Sequence, residues 1–279
     1  IGCSDMGTGC DTILAQMAAD GLGCDMDNII VRGVDTDQSP YDSGSYASST
    51  TYVTGGAVVK ACESMRKRIC EEAAAIMGLK SGEVDFDGET ISENDNPEHS
   101  MTLSDLITSL EAGNGRIIEV TESHTSPVSP PPFMAGAAEI EVDLETGKIT
   151  PINYVAAVDC GTVINTNLAR IQTEGGIVQG MGMTLYEDVQ YTEAGKMKNR
   201  NFMSYKIPTR LDMGSISVEF ESSYEQTGPY GAKSIGEIVI NTPAPAIADA
   251  VYNATGLRFR TLPITAEQVM MGLLEREEA

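Results

Sequence analysis

The chain has 279 residues, enough for one large domain or two smaller ones with a substantial hydrophobic core. Its formal net charge of -23 excludes nucleic acids and anionic membrane surfaces as partners, because binding to either requires clustered Lys and Arg. No apolar stretch approaches the roughly 20 residues that a membrane-spanning helix needs, so the composition predicts a soluble protein.

The N-terminal part alternates between apolar runs and glycine-rich turns. Residues 11–19 carry apolar side chains at helical spacing, and the same spacing recurs beyond Thr50 with the basic residues on other faces. The elements predicted here are a strand and tight loop over 1–9, a helix over 11–19, a short strand over 29–31, a long polar loop over 35–49 and a helix from about Thr50 to Gly78.

Acidic residues are concentrated between Glu83 and Glu98, where seven Asp or Glu residues occur without one Lys or Arg. Their spacing lacks the regular pattern of an EF-hand calcium loop, so we interpret the segment as a solvated loop. A proline-rich stretch follows at 127–132. Because irregular, proline-rich stretches mark boundaries, we expect two subdomains, covering residues 1–120 and 121–279.

The sequence after the proline-rich stretch becomes rich in β-strand patterns. Residues 139–144 alternate polar and apolar, and residues 152–158 are again strand-like after a turn, which predicts a hairpin. The other predicted elements are a glycine-rich helix over 172–183, a strand over 217–221, a helix over 243–254 ending at Gly256, and a capping box at Thr265 and Gln268 that opens a last helix. The predicted fold class is α+β, with two subdomains of mixed β-sheet and packed helices.

The six cysteines are scattered along the chain. Cys62 and Cys70 fall on one predicted helix, about 12 Å apart by helical rise, which is beyond the reach of a disulfide. With no Cys-x-x-Cys pair and two histidines, the sequence predicts no zinc or iron–sulfur site within this chain. Reduced cysteines are typical of a cytoplasmic protein.

One carboxylate stands out in the stretch from Gly231 to Glu237, which is followed at once by the apolar residues 238–240. Flanking glycines let the backbone turn tightly and approach a ligand, while the apolar run suggests that the carboxyl group is partly shielded from water. Such a carboxylate could act as a general base. A solvated turn residue or a helix cap is the alternative interpretation.

Three glycine- or serine-rich segments are each predicted to open a helix, namely residues 7–9, 43–50 and 172–176. Free backbone N–H groups at helix starts attract anions, so together the segments indicate a large phosphorylated ligand. For any single segment, capping by Ser or Thr explains the composition equally well.

At these positions the chain resembles the molybdopterin-binding part of the xanthine dehydrogenase and aldehyde oxidase family of molybdenum hydroxylases. The resemblance runs nearly end to end and follows the family's order of motifs. The matching segments are Asp5–Gly9, Ser43–Thr51, Ile171–Gly175 with Val178–Gly180, Tyr205–Pro208 and Gly231–Glu237.

The resemblance implies a role for each matched position. Glu237 corresponds to the catalytic glutamate, which accepts a proton at the molybdenum centre while an electron-poor carbon is hydroxylated. The positions that correspond to cofactor-binding residues are Gly7, Thr8, Gly9, Tyr46, Ala47, Ser48, Ser49, Thr50 and Gln172. No residue of this chain is expected to bind the metal directly. The cofactor itself would lie in a crevice bounded by the two subdomains and by further protein.

Thr8 departs from the family pattern, because most relatives have Gln at this position. The amide contact that Gln makes to the cofactor is therefore shortened or missing. This leaves open whether the molybdenum-molybdopterin cofactor is in its cytosine dinucleotide form. The alternative interpretation of Thr8 is an ordinary loop residue without a role in binding.

The resemblance also implies partners that this sequence does not contain. These are the first half of the molybdopterin-binding region and the iron–sulfur and FAD domains or subunits that receive the electrons. The expected substrate is a purine, another N-heterocycle or an aldehyde, and the chain alone is expected to be inactive. Two alternatives stay open: a non-catalytic scaffold subunit of such a complex, and an acidic nucleotide-binding domain unrelated to molybdenum.

Overall fold

Six α-helices and two three-stranded sheets make up the regular structure of residues 1–278, the part of the chain that the computed structural model describes. The α+β class is therefore confirmed. The chain divides into two compact units. Unit 1 contains residues 1–130 and 225–234, and unit 2 contains residues 131–224 and those from 235 onward. The units are not continuous halves like the predicted subdomains, because residues 225–234 join unit 1.

The helices of unit 1 form where the apolar spacing predicts them. Helix α1 spans Cys10–Leu22, and helix α2 spans Gly55–Met77 after a π-helical turn at Thr50–Thr54. Both helices end at a glycine in the left-handed conformation, Gly23 with φ 77° and Gly78 with φ 73°. This is a common way to end a helix, because glycine adopts positive φ without a steric penalty.

The strands predicted over 1–9 and 29–31 are wrong, because both segments are irregular. A hydrogen bond of 3.1 Å runs from the Ile1 amino group to the carbonyl oxygen of Arg32, the residue after the second segment. Ile30 is 80% exposed, so the apolar run at 29–31 does not form a buried strand. An apolar run needs a paired neighbour to become a strand, and the described residues form no ladder here.

The acidic segment is an antiparallel sheet, so the prediction of a solvated loop is wrong. Strands β1 (Val84–Phe86), β2 (Thr90–Glu93) and β3 (Asn96–Thr102) pair in this order. Alternation along β1 buries Val84 and Phe86, and Ile91 of β2 packs with them against α2 and helix α3 (Leu103–Asn114), while β3 and most of the acidic side chains are exposed. The residues of this core are Ile69, Ala73, Ala74, Val84, Phe86, Ile91, Leu106 and Leu110.

Unit 2 is built on a mixed sheet. Strands β4 (Phe133–Val142) and β5 (Ile149–Asp159) form the predicted hairpin, and β6 (Ser215–Phe220) pairs with β5 in parallel. Helix α4 (Thr166–Leu185) and helix α5 (Pro243–Thr255) share one core with the sheet. The fully buried members of this core include Tyr154, Val158, Ile177, Met181, Ile247 and Val251.

The last helix, α6 (Ala266–Glu278), opens with the predicted capping box. Thr265 N donates to Gln268 Oε1 at 2.9 Å, and Gln268 N donates to Thr265 Oγ1 at 3.2 Å. Each bond satisfies a backbone donor that the helix leaves unpaired. Among the described residues, no helix combines the length and the apolar character that crossing a bilayer requires.

The segment between α3 and β4 is held to α2 by His124. A Cβ atom on Gly56 would lie 2.7 Å from the His124 ring, so glycine is needed for this close approach. Neither ring nitrogen has a hydrogen-bond partner within the described chain, and both are buried. Desolvation, with a smaller contribution from Lys60, lowers the pKa of His124, so the ring packs as a neutral group.

Candidate functional site

The loop from Asp5 to Gly9 folds around its own carboxylate. Asp5 Oδ1 accepts hydrogen bonds from Gly7 N at 2.9 Å and from Gly9 N at 3.1 Å. These backbone donors, Gly7 first, hold the pKa of the Asp5 carboxyl below its ordinary value. The expectation of free N–H groups for an anion is therefore wrong at Gly7 and Gly9, because Asp5 already occupies both donors.

A ligand can nevertheless approach this loop closely. Gly7 has φ 105°, and a Cβ atom built on it would meet nothing within 4 Å. The backbone is thus exposed to a ligand at a position where any other residue would be strained. With Asp5 contributing a negative charge, the loop suits a neutral or hydrogen-bond-donating group better than a phosphate. Cofactor binding by Gly7, Thr8 and Gly9 stays a prediction.

The second segment, residues 43–50, is also organised by an aspartate. Asp42 Oδ1 accepts from Gly44 N at 2.7 Å, and Asp42 Oδ2 accepts from Thr54 Oγ1 at 3.1 Å. Ser49 precedes the π-helical turn but makes no side-chain cap. Its hydroxyl donates instead to the Gly44 carbonyl oxygen at 3.2 Å. Capping, the alternative explanation for this segment, therefore does not apply to Ser49.

Sequence reasoning missed Asp5 and Asp42, although a local signal was present. Both belong to an Asp-x-Gly pattern in which the carboxylate accepts the N–H of a glycine at positive φ, 105° at Gly7 and 108° at Gly44. Such Asx turns are a known use of aspartate before glycine. A third example lies in unit 2, where Gly161 N donates to Asp159 Oδ1 at 3.0 Å.

The backbone at the centre of the second segment is strained. Ala47 has φ 51° and Ser48 has φ 54°, both in the left-handed region that favours glycine. Each costs about 1–2 kcal/mol for a residue with a side chain. The π-helical turn that follows at Thr50–Thr54 is a second rare conformation. Strain of this kind persists at ligand-binding sites, which supports the predicted role of these residues.

We expect Ala47→Gly to raise the free energy of unfolding of the cofactor-free protein by up to about 1 kcal/mol, because glycine removes the left-handed penalty. The matched control is Ala61→Gly in the middle of α2, which we expect to lower the free energy of unfolding by about 1 kcal/mol. Urea unfolding of the two variants measures both effects. Destabilisation of the same size in both variants would contradict the assignment of strain to Ala47.

The third segment, residues 172–176, lies inside a helix, and the helix predicted over 172–183 is confirmed. Helix α4 begins at Thr166, where Asn165 Oδ1 accepts from Leu168 N at 3.0 Å, so Gln172 lies well inside it. The anion-binding prediction for residues 172–176 is therefore wrong. A Cβ atom on Gly176 would lie 2.2 Å from Val239 Cγ2. The glycines of this stretch thus serve the close packing of α4 and do not form its start.

This packing places Gln172 beside the chain that carries Glu237. Gln172 Nε2 donates to the Gly236 carbonyl oxygen at 3.2 Å. Glu237 precedes a short 3₁₀ helix at Ile238–Ile240 and is exposed, whereas Val239 is buried. The expectation that the apolar run shields the Glu237 carboxyl group is wrong for this chain, because the run turns Val239 inward instead.

The predicted site residues fall into two groups. Unit 1 carries the glycine loop at 7–9 and the serine segment at 46–50, and unit 2 carries Gln172 and Glu237. Within unit 2 the structure brings Gln172 and the Glu237 loop together by a hydrogen bond. Hydroxyl, amide and backbone groups prevail in these segments. Such polar groups orient an organic ligand in a binding site.

Comparison with known proteins gives a consistent result. A family model described as a molybdopterin cofactor-binding domain matches residues 1–214. The probable hypoxanthine oxidase XdhD of Escherichia coli (strain K12) is 33% identical over 277 residues, covering 98% of this chain and 28% of that protein. The carbon monoxide dehydrogenase large chain of Afipia carboxidovorans is 26% identical over 262 residues, covering 91% of this chain and 32% of that protein.

A solved structure agrees with the sequence comparison. Quinoline 2-oxidoreductase from Pseudomonas putida 86 matches with a TM-score of 0.83 and 26% identity, covering 98% of this chain and 36% of that one. The chain thus spans about a third of the length of the relatives it matches. It belongs to the xanthine dehydrogenase and aldehyde oxidase family of molybdenum hydroxylases, and specifically to their molybdopterin cofactor-binding domain.

Proposed function

We propose that this chain is the cofactor-binding part of an enzyme that hydroxylates an electron-poor carbon of a purine, another N-heterocycle or an aldehyde, with water as the oxygen source. The observation that carries the proposal is the exposed Glu237, whose loop is bonded to Gln172. The relatives named as a hypoxanthine oxidase and a quinoline 2-oxidoreductase favour an N-heterocycle among these substrates.

Each group of residues has a distinct part in this proposal. When bound, the molybdenum cofactor supplies the redox chemistry of the oxygen transfer. The segment from Tyr46 to Thr50, with Gln172, binds the cofactor through hydroxyl and amide groups. Glu237 accepts the proton that is released as the substrate carbon is hydroxylated.

The proposal includes partners that carry the electrons away. We infer iron–sulfur and FAD domains or subunits and the first half of the molybdopterin-binding region, without which the chain is inactive. The relative named as the large chain of carbon monoxide dehydrogenase supports a multi-chain assembly. We also propose a cytoplasmic location, and the cofactor in either its plain or its cytosine dinucleotide form.

Metal analysis of the natively purified protein tests the proposal. We expect about one molybdenum atom per chain, together with a pterin. Turnover of an N-heterocycle in ¹⁸O-labelled water should place the label in the hydroxylated product. A protein that contains no molybdenum would contradict the whole proposal, and one that binds molybdenum without turning over any substrate would favour the scaffold alternative.

A further inference from the structure

The residues that precede Glu237 in the sequence pack as part of unit 1. Residues 225–234 belong to unit 1, and Ser234 is the last of them. Pro229 contacts the start of α2, since a Cβ atom on Gly55 would lie 3.1 Å from Pro229 Cγ. Tyr230 OH donates to the Met17 carbonyl oxygen at 3.0 Å. The segment is therefore fixed to both long helices of this unit.

The same segment also holds the π-helical turn at Thr50–Thr54. Ser234 Oγ accepts a hydrogen bond from Tyr52 N at 3.3 Å, across 182 residues of sequence. Tyr52 is 5% exposed, so its N–H group has little access to water. Ser49, the residue at the capping position, makes no side-chain cap. Ser234 thus supplies to this turn the cap that helix starts usually receive locally.

A second contact fixes the other end of the Tyr52 side chain. The Thr227 hydroxyl donates to Glu225 Oε1 at 2.6 Å, so it accepts from the Tyr52 hydroxyl, whose oxygen is 2.5 Å away. Backbone and side chain of Tyr52 are therefore bonded to residues of one distant segment. We name the contacts of Ser234 and Thr227 with Tyr52 the Tyr52 clasp.

The Tyr52 clasp lies directly after the strained residues of the serine segment. Ala47 and Ser48 have φ 51° and 54°, and such conformations persist only where surrounding contacts over-determine them. Asp42 bonds the end of the π-helical turn through Thr54, and the Tyr52 clasp bonds its centre. These contacts together keep the turn from relaxing and releasing the strain.

We propose that Ser234 is a positioning residue that holds the serine segment in its cofactor-binding conformation. The inference rests on the proposed function, because it assigns the Ala47–Thr50 segment to cofactor binding. It adds that the chain which supplies Glu237 also shapes this segment, through a hydroxyl three residues before Glu237. Ser234 itself needs no contact with the cofactor.

Cofactor retention tests this inference in the natively purified holoenzyme. Molybdenum and pterin lost during prolonged dialysis are measured by mass spectrometry and fluorescence. We expect Ser234→Ala to lose the cofactor about tenfold faster than the wild type, the size of effect typical of one lost hydrogen bond to a buried donor. Ser234→Thr keeps the hydroxyl and should stay within about twofold of the wild type.

Two further variants keep the test decisive. Thr227→Val removes the acceptor for the Tyr52 hydroxyl at an exposed position. It should also accelerate the loss of the cofactor, and it can be measured even if Ser234→Ala fails to fold. Tyr230→Phe removes a hydrogen bond of the same segment to Met17 but none to Tyr52, so it should retain the cofactor. Wild-type retention in Ser234→Ala and Thr227→Val, or equal loss in Tyr230→Phe, would overturn the inference.

Failure of this inference is distinguishable from failure of the proposed function. If the wild type contains no molybdenum, the proposed function fails and Ser234 has no cofactor to position. If the wild type contains molybdenum and turns over substrate, but the Tyr52 clasp variants retain the cofactor like the wild type, only the positioning role is lost.

Discussion

Glu237→Gln is expected to lower kcat by roughly 10²- to 10⁴-fold while the protein still binds its cofactor. Gln has nearly the size and shape of Glu but cannot accept a proton at neutral pH. Glu237 is exposed and precedes a short helix whose packing depends on Val239, so the substitution should leave the fold intact. Steady-state turnover of an N-heterocycle, with molybdenum content measured on the same sample, gives both quantities.

A matched control separates the role of Glu237 from a general loss of negative charge. Glu219 is an exposed glutamate on β6 of the same unit, and Glu219→Gln should leave kcat within about twofold of the wild type. If Glu237→Gln kept wild-type turnover at full molybdenum content, another group would be the base. A protein without measurable turnover before mutation would instead point to the scaffold alternative.

Gly176→Ala is expected to lower the free energy of unfolding by about 1–3 kcal/mol, because the added methyl group overpacks the core of unit 2. Its Cβ would lie 2.2 Å from Val239 Cγ2, and Val239 is 1% exposed and cannot move aside into solvent. Because Val239 is two residues beyond Glu237, we also expect kcat to fall. Urea unfolding and steady-state kinetics measure the two effects.

The neighbouring glycine provides the control. A Cβ atom on Gly175 would meet nothing within 4 Å, and the residue lies inside α4. Gly175→Ala should therefore raise the free energy of unfolding by about 0.5–1 kcal/mol, since alanine favours the helix. Equal destabilisation by the two substitutions would show that the contact with Val239 does not explain the glycine at 176.

The sequence predicted the elements whose signals are local. The helix beyond Thr50, the β4–β5 hairpin, α5 and the capping box at Thr265 each combine a periodic apolar pattern with a recognisable end. The acidic sheet was missed because its charges dominated the composition, although every second residue around Val84 and Phe86 was apolar. In that segment, the alternation of apolar and polar residues indicated strands, whereas the charge did not indicate the secondary structure.

The candidate site was predictable only where its signals are local. The resemblance located Gln172 and Glu237 in the sequence, and their hydrogen-bonded neighbourhood came from the structure. Exposure of Glu237 could not be read from the residues beside it, because a single turn decides which side chain points inward. The hydrogen bond between Tyr52 and Ser234 joins residues 182 positions apart, and no local sequence pattern predicts such a contact.

The return of residues 225–234 to unit 1 has a consequence for biosynthesis. When residues 1–130 have left the ribosome, Pro229, Tyr230 and Ser234, which pack against or bond to unit 1, have not yet been synthesised. Unit 1 therefore completes its fold only after most of unit 2 has emerged. We expect the nascent polypeptide to expose the surfaces beside Met17 and Tyr52 during this interval.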